Sequence, residues 1–123
     1  MVLNSGNLSL GPKYKEFEER FAEKIGTRYA CAVSSGTAGL HLAMIAADIQ
    51  PGDEVITSPF SFVASANSIL YMNAKPVFVD VEENTGLIDV SKVEDAITPR
   101  TKAIIPVHLY GSMADMAAIR DIA

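Results

Sequence analysis

Tyr14, Phe17, Phe21 and Ile25 recur at three- and four-residue intervals, with Glu16, Glu19, Arg20 and Glu23 off that face. This spacing predicts an amphipathic helix. Gly11-Pro12 opens it, with proline at the first helical position, where a missing N–H costs nothing. Gly26 is placed to close it as a left-handed cap. Ahead of it, residues 4–12 are polar and Gly-rich and read as an irregular arm.

Beyond Gly26 the rhythm changes to short apolar runs separated by turns and longer apolar stretches. The runs Tyr29 to Val33, Glu54 to Ser58, Pro76 to Val81 and Lys102 to Val107 read as strands. Ala38 to Ile49, Phe62 to Met72 and Ser91 to Ile97 read as helices, and a last helix starts near Met113. Strands alternating with helices predict βαβ units and a largely parallel sheet, an α/β fold with flanking helices. Val77-Phe78-Val79 and Ala103-Ile104-Ile105 are apolar at successive positions, the pattern of strands buried on both faces. The last helix, with Met116, Ile119 and Ile122, reaches the final residue without a cap. A doubly wound sheet normally runs on past such a helix, so the sequence reads as the front part of a longer protein.

Composition narrows the classes. Of 123 residues, 49% are hydrophobic and 20% charged, which excludes a disordered tail. No apolar run is long enough to span a bilayer as a helix. The start, Met1-Val2-Leu3-Asn4-Ser5-Gly6, has neither the basic nor the apolar part of a signal peptide. The net charge of −5 argues against nucleic acid and anionic membranes as partners. A lone cysteine, Cys31, allows neither an internal disulfide nor a cysteine-cluster metal site, and no metal is expected. Cytoplasmic location follows as the default.

In an open parallel sheet, ligands sit beyond the carboxyl ends of the strands. Ser34-Ser35-Gly36-Thr37 joins a strand end to a helix start, where free amides and the helix dipole favour an anion. It lacks the third glycine of a dinucleotide fingerprint and the Gly-Lys-Ser/Thr of a P-loop. On these residues alone, a helix cap by Ser35 or Thr37 is the favoured reading over a phosphate site. Phe60-Ser61-Phe62 places aromatic rings at a strand end, where a flat ligand could stack or one ring could join the core. His108 and Tyr110 follow the last strand. A lone histidine there reads first as a hydrogen-bonded structural residue. Asp80, Glu82 and Glu83 read as a solvated loop. His41 reads as a packing residue, Met44, Met72, Met113 and Met116 as core filler, and Cys31 as buried and inert.

Taken together, several strings resemble the DegT/StrS family of pyridoxal-phosphate sugar aminotransferases. They are Gly11-Pro12, Ser35-Gly36-Thr37-Ala38-Gly39-Leu40-His41, Pro51-Gly52-Asp53-Glu54-Val55-Ile56, and Ser58-Pro59-Phe60-Ser61-Phe62-Val63-Ala64. Ala74-Lys75-Pro76-Val77-Phe78-Val79-Asp80 and Pro106-Val107-His108-Leu109-Tyr110-Gly111 continue the match in order. The resemblance implies the fold type I architecture, with residues 1–12 as an arm and 13–123 as the N-terminal part of the cofactor-binding large domain. It implies pyridoxal 5'-phosphate as cofactor, a homodimer, and transfer of an amino group from glutamate or glutamine to a nucleotide-linked keto-sugar. It further implies that Gly36, Thr37 and Ala38 bind the cofactor phosphate, that Phe62 stacks on the pyridine ring, and that Ser9, His108 and Tyr110 lie near the substrate.

The family's Schiff-base lysine and ring-nitrogen aspartate have no counterpart here. Lys13, Lys15, Lys24, Lys75, Lys92 and Lys102 all lack the serine-then-lysine context, so no residue of this chain is assigned a catalytic role, and the chain alone is expected to be inactive. The alternatives are a sugar dehydratase of the same family and a non-catalytic binding or regulatory fragment.

Overall fold

A computed structural model describes Gly6 and residues 11–123. It divides into two compact units, Met1–Ser34 and Ser35–Ala123.

In the first unit, α1 spans Pro12–Ile25, with proline in its first turn. Gly26 adopts φ 77°, and its N–H donates to the carbonyls of Ala22 and Glu23. This is the left-handed cap that the sequence predicts. The apolar face of α1 lies open: Phe17, Phe21 and Ile25 are about half exposed, and the Phe17 and Phe21 rings sit 5.8 Å apart. The strand expected over Tyr29 to Val33 does not form. The segment pairs with no strand among the described residues. Side chains of α1 bind its backbone instead: Tyr14 Oη donates to the carbonyl of Ala32 at 2.5 Å, and the Ala32 N–H donates to Glu18 Oε1 at 2.8 Å. An apolar run supplies a strand's side chains, but a strand also needs a neighbour for its backbone groups. Cys31, expected to be buried in that strand, is exposed for the same reason.

In the second unit, three parallel strands, β1 (Glu54–Thr57), β2 (Lys75–Phe78) and β3 (Thr101–Ile105), lie in the order β2-β1-β3. Helix α2 (Gly36–Ala46) starts two residues before, and stops three before, the predicted span. Helix α3 covers Ala64–Tyr71, and α4 covers Met116–Ile122. The helix expected over Ser91 to Ile97 is instead two 3-10 turns, Val90–Lys92 and Glu94–Ala96. Asp89 caps the first through Ser91 N–H, and Ile97 turns extended immediately ahead of Thr98-Pro99, so a full α-helix has no room.

The register assigns the two faces of the sheet. Val55 lies beside Ala103 and packs with Met44 of α2, Ile49, Ile69 of α3 and Ala74. Ile56 lies beside Val77 and Ile104 and packs with Val79, Ile88, Val93, Ala114 and Ile119 of α4. The result is a helix–sheet–helix sandwich with a core on each side. The fully buried strand is the central β1, not the two runs with continuous apolar residues: Phe78 of β2 is 53% exposed. Position in the sheet decides burial, and β2 and β3 are its edges among the described residues. Met44 is core filler as expected, and Met72 and Met116 pack against the two cores. Met113 is 70% exposed, because it sits in the loop ahead of α4 rather than on it.

At the amino end of β1, Glu54 is buried yet fully paired. Its carboxylate accepts from Thr98 Oγ1 at 2.6 Å, Arg100 Nη2 at 2.7 Å and Lys75 Nζ at 3.2 Å. The Thr98 hydroxyl first, then Arg100 and Lys75, hold its carboxyl at about 2, against the opposing effect of burial.

Candidate functional site

β1 and β3 are neighbours, but the chain leaves them toward opposite faces. After β1 it runs to α3, whose Ile69 packs with Val55. After β3 it runs to α4, whose Ile119 packs with Ile56. Such a divergence opens a crevice at the carboxyl ends of the strands. At those ends, the Thr57 hydroxyl donates to the Ile105 carbonyl at 3.1 Å, tying the last residues of the two strands together.

A cavity of about 540 Å³ lies at this point. Its walls come from the start of α2 (Gly36, Thr37, Leu40), the β1–α3 loop and α3 (Ser61, Phe62, Ala64, Ser65), and the segment after β3 (Val107, His108, Leu109, Tyr110). Its size suits a small molecule. Thus Gly36, Thr37, Phe62, His108 and Tyr110, expected from three separate places in the sequence, line one space.

The start of α2 does two things at once. Ser35 is its N-cap, and its Oγ accepts from the Ala38 N–H at 3.1 Å. Ala38 is therefore engaged within the helix and does not line the cavity. The amides of Gly36 and Thr37 have no partner among the described residues, so they remain able to bind an anion. Cap and anion site are compatible, because they use different N–H groups.

Phe62 is 75% exposed and Phe60 is 51% exposed, so neither ring has joined the core. The Phe62 carbonyl accepts from Ser65 N–H at 3.1 Å, which anchors its backbone at the start of α3. His108 Nδ1 accepts from Ala114 N–H at 3.1 Å. In the neutral ring this leaves the proton on Nε2. Tyr110 has φ 51° and ψ 27° and is 93% exposed. Left-handed backbone in a bulky residue is strained and clusters at functional sites. Ser9 lies outside the described residues.

The sequence reading missed Ser61 and Ser65, whose hydroxyls lie 3.0 Å apart in the cavity wall. Their signal was the four-residue spacing of two hydroxyls around Phe62. Asp80, Glu82 and Glu83 are exposed and stand apart from the cavity, and His41 packs edge-on against Tyr71 at 5.3 Å between ring centres. Among the described residues, no group of three or more His, Cys, Asp or Glu could hold a metal, and no helix is long and apolar enough to cross a membrane.

Residues 1–123 match the model of the DegT/DnrJ/EryC1/StrS aminotransferase family. The chain belongs to this family. It is 54% identical over 122 residues to the spore coat polysaccharide biosynthesis protein SpsC of Bacillus subtilis, covering 99% of the chain and 31% of SpsC. It is 50% identical over 115 residues to GDP-perosamine synthase of Caulobacter vibrioides, covering 94% and 31%. Among solved structures, it is similar to DesV of S. venezuelae in complex with a ketimine intermediate (TM-score 0.93, 45% identity, 99% of the chain and 33% of DesV). It is also similar to NtdA of Bacillus subtilis with bound cofactor PMP (TM-score 0.94, 43% identity, 99% and 28%). The chain thus spans about a third of the length of these relatives.

The family depends on pyridoxal 5'-phosphate, and the DegT/DnrJ/EryC1/StrS chain described here offers features that fit such a group. A Cβ built at Gly36 would meet no atom within 4 Å, so the space against that backbone is open. Two unpaired amides and the Thr37 hydroxyl suit a phosphate, and the exposed Phe62 ring suits a flat heterocycle. No Lys, Arg, Asp or Glu lines the cavity among the described residues. The wall offers shape and neutral hydrogen-bond donors, without a charged acid–base group among the described residues.

Proposed function

We propose that this chain is the N-terminal part of the large domain of a pyridoxal-phosphate-dependent aminotransferase, with residues 1–12 as an arm and 13–123 contributing to the cofactor pocket. The complete protein moves an amino group from glutamate or glutamine to a nucleotide-linked keto-sugar in polysaccharide or amino-sugar biosynthesis. It acts in the cytoplasm as a homodimer. The convergence of Gly36, Thr37, Phe62, His108 and Tyr110 on one cavity at the β1/β3 crevice carries the reading. Kinship with a GDP-perosamine synthase and a spore coat polysaccharide protein supports the substrate class.

In this reading, the free amides of Gly36 and Thr37 at the start of α2 bind the cofactor phosphate, with Ala38 held by the Ser35 cap behind them, and Phe62 fixes the plane of the ring by offset packing. The bound cofactor supplies an electron sink for the C–H bond broken in the amino donor. His108, with Nε2–H as a donor, and Tyr110 bind substrate oxygen atoms at the mouth of the cavity. The proton-transfer group comes from outside this chain.

The test uses the complete polypeptide with pyridoxal 5'-phosphate, glutamate and a nucleotide-linked keto-sugar. We expect 2-oxoglutarate and the amino-sugar to form in equal amounts over many turnovers, with no more than about one equivalent of 2-oxoglutarate per site when the keto-sugar is left out. No 2-oxoglutarate, or turnover by residues 1–123 alone, contradicts the proposal.

A further inference from the structure

The cavity wall holds no positively charged side chain among the described residues. The donors that this wall offers a bound phosphoryl group are therefore neutral, each strengthened by the charge it would face. The amides of Gly36 and Thr37 and the Thr37 hydroxyl are three such donors. Ser61 and Ser65 form a further, unassigned element of the same wall.

Their Oγ atoms are 3.0 Å apart. One hydroxyl hydrogen occupies the bond between them, and the other is left over. Both residues line the cavity; Ser65 is buried, at 7% exposure, while Ser61 is half-buried. Ser65 is also held by its backbone: its N–H donates to the Phe62 carbonyl, and its carbonyl accepts from Ser68 Oγ at 3.0 Å. The buried, anchored member thus suits the role of donor to Ser61, leaving Ser61 with the free hydrogen. A hydroxyl that accepts one hydrogen bond becomes a better donor of the next.

We propose that Ser61 donates this hydrogen to a phosphoryl oxygen of the bound ligand, and that Ser65 is a positioning residue that fixes the direction of the Ser61 hydroxyl. The inference rests on the reading of the cavity given above and deepens it. The phosphoryl oxygen belongs either to the cofactor or to the nucleotide that carries the sugar.

The experiment measures binding of pyridoxal 5'-phosphate, pyridoxal without its phosphate, and a nucleoside diphosphate to the complete polypeptide and its variants. Ser61→Ala is expected to weaken one phosphorylated ligand about tenfold or more. Pyridoxal affinity stays unchanged, and Ser61→Thr restores binding. Loss confined to pyridoxal 5'-phosphate assigns the oxygen to the cofactor, and loss confined to the diphosphate assigns it to the nucleotide. Ser65→Ala gives a smaller loss for the same ligand, restored by Ser65→Thr. An equal loss for pyridoxal and its phosphate marks a structural role and overturns the proposal, as does no loss for either phosphorylated ligand. An unchanged Ser65→Ala overturns the positioning role. If the unsubstituted protein binds none of the probes, the cavity reading fails together with this inference; normal binding with an indifferent Ser61→Ala sinks this inference alone.

Discussion

The amide N–H of Ala114 donates to Nδ1 of His108 at 3.1 Å, so the residue that leads toward α4 sets the tautomer of the imidazole on the cavity wall. Ala114 is itself 4% exposed and belongs to the core on the Ile56 side of the sheet. Removing the acceptor would strand a buried donor, which costs about 1–3 kcal/mol. His108→Ala should lower stability by about that amount, while His108→Asn, whose amide oxygen can accept, should lose less. Urea denaturation of both variants checks the order, and an equal loss would separate the histidine from this role.

Glu54 ties stability to pH. Its folded carboxyl is lowered from 4.5 to about 2 by Thr98, Arg100 and Lys75. A depressed carboxyl stabilises the folded state above its unfolded value, and that contribution fades as pH falls through the window from 4.5 toward 2. The urea midpoint should therefore drop over this window, and Glu54→Gln should flatten the drop while lowering the midpoint at neutral pH. A profile identical in both proteins would show that the carboxylate contributes nothing.

Gly86 has φ 68°, and a Cβ there would lie 3.1 Å from Leu109 Cδ2 and 3.3 Å from the Phe60 ring. The turn after β2 thus packs against two residues that flank the cavity. Gly86→Ala forces a left-handed conformation on a residue with a Cβ, at a cost of roughly 1–2 kcal/mol before the contacts adjust. We expect a lower melting temperature and a changed near-ultraviolet spectrum from Tyr110 and Phe60. A neutral substitution would mean that the turn yields freely.

Much of the fold was legible because local signals agreed. Pro12 and Gly26 mark the ends of α1, and the turns at Pro51-Gly52 and Thr98-Pro99 bracket strands that do form. Burial was not legible, since the continuous apolar runs sit at edges while Glu54-Val55-Ile56-Thr57 takes the centre. Tyr29 to Val33 has a strand's composition but no ladder partner among the described residues. In the site, Phe62, His108 and Tyr110 were legible as residues after strand ends, and the adjacency of β1 and β3 brings them together. Gly36 and Thr37 were expected after a strand, Tyr29 to Val33, that does not form, and they reach the cavity as the start of α2 instead. The Ser61–Ser65 pair was not, because a serine's use depends on which hydroxyl it meets.

The central claim is that the cavity at the β1/β3 crevice holds pyridoxal 5'-phosphate with Phe62 on its ring. Phe62 is 75% exposed, so its removal should leave the fold intact. Stacking contributes on the order of 1 kcal/mol beyond burial, and a ~1.4 kcal/mol loss is a tenfold change in affinity. The most direct measurement is the affinity of the complete polypeptide for pyridoxal 5'-phosphate with Phe62→Ala, alongside its melting temperature in the absence of cofactor. We predict affinity about tenfold weaker or more with the cofactor-free melting temperature unchanged. Unchanged affinity, or a variant that fails by unfolding, would contradict the account and turn attention to Phe60.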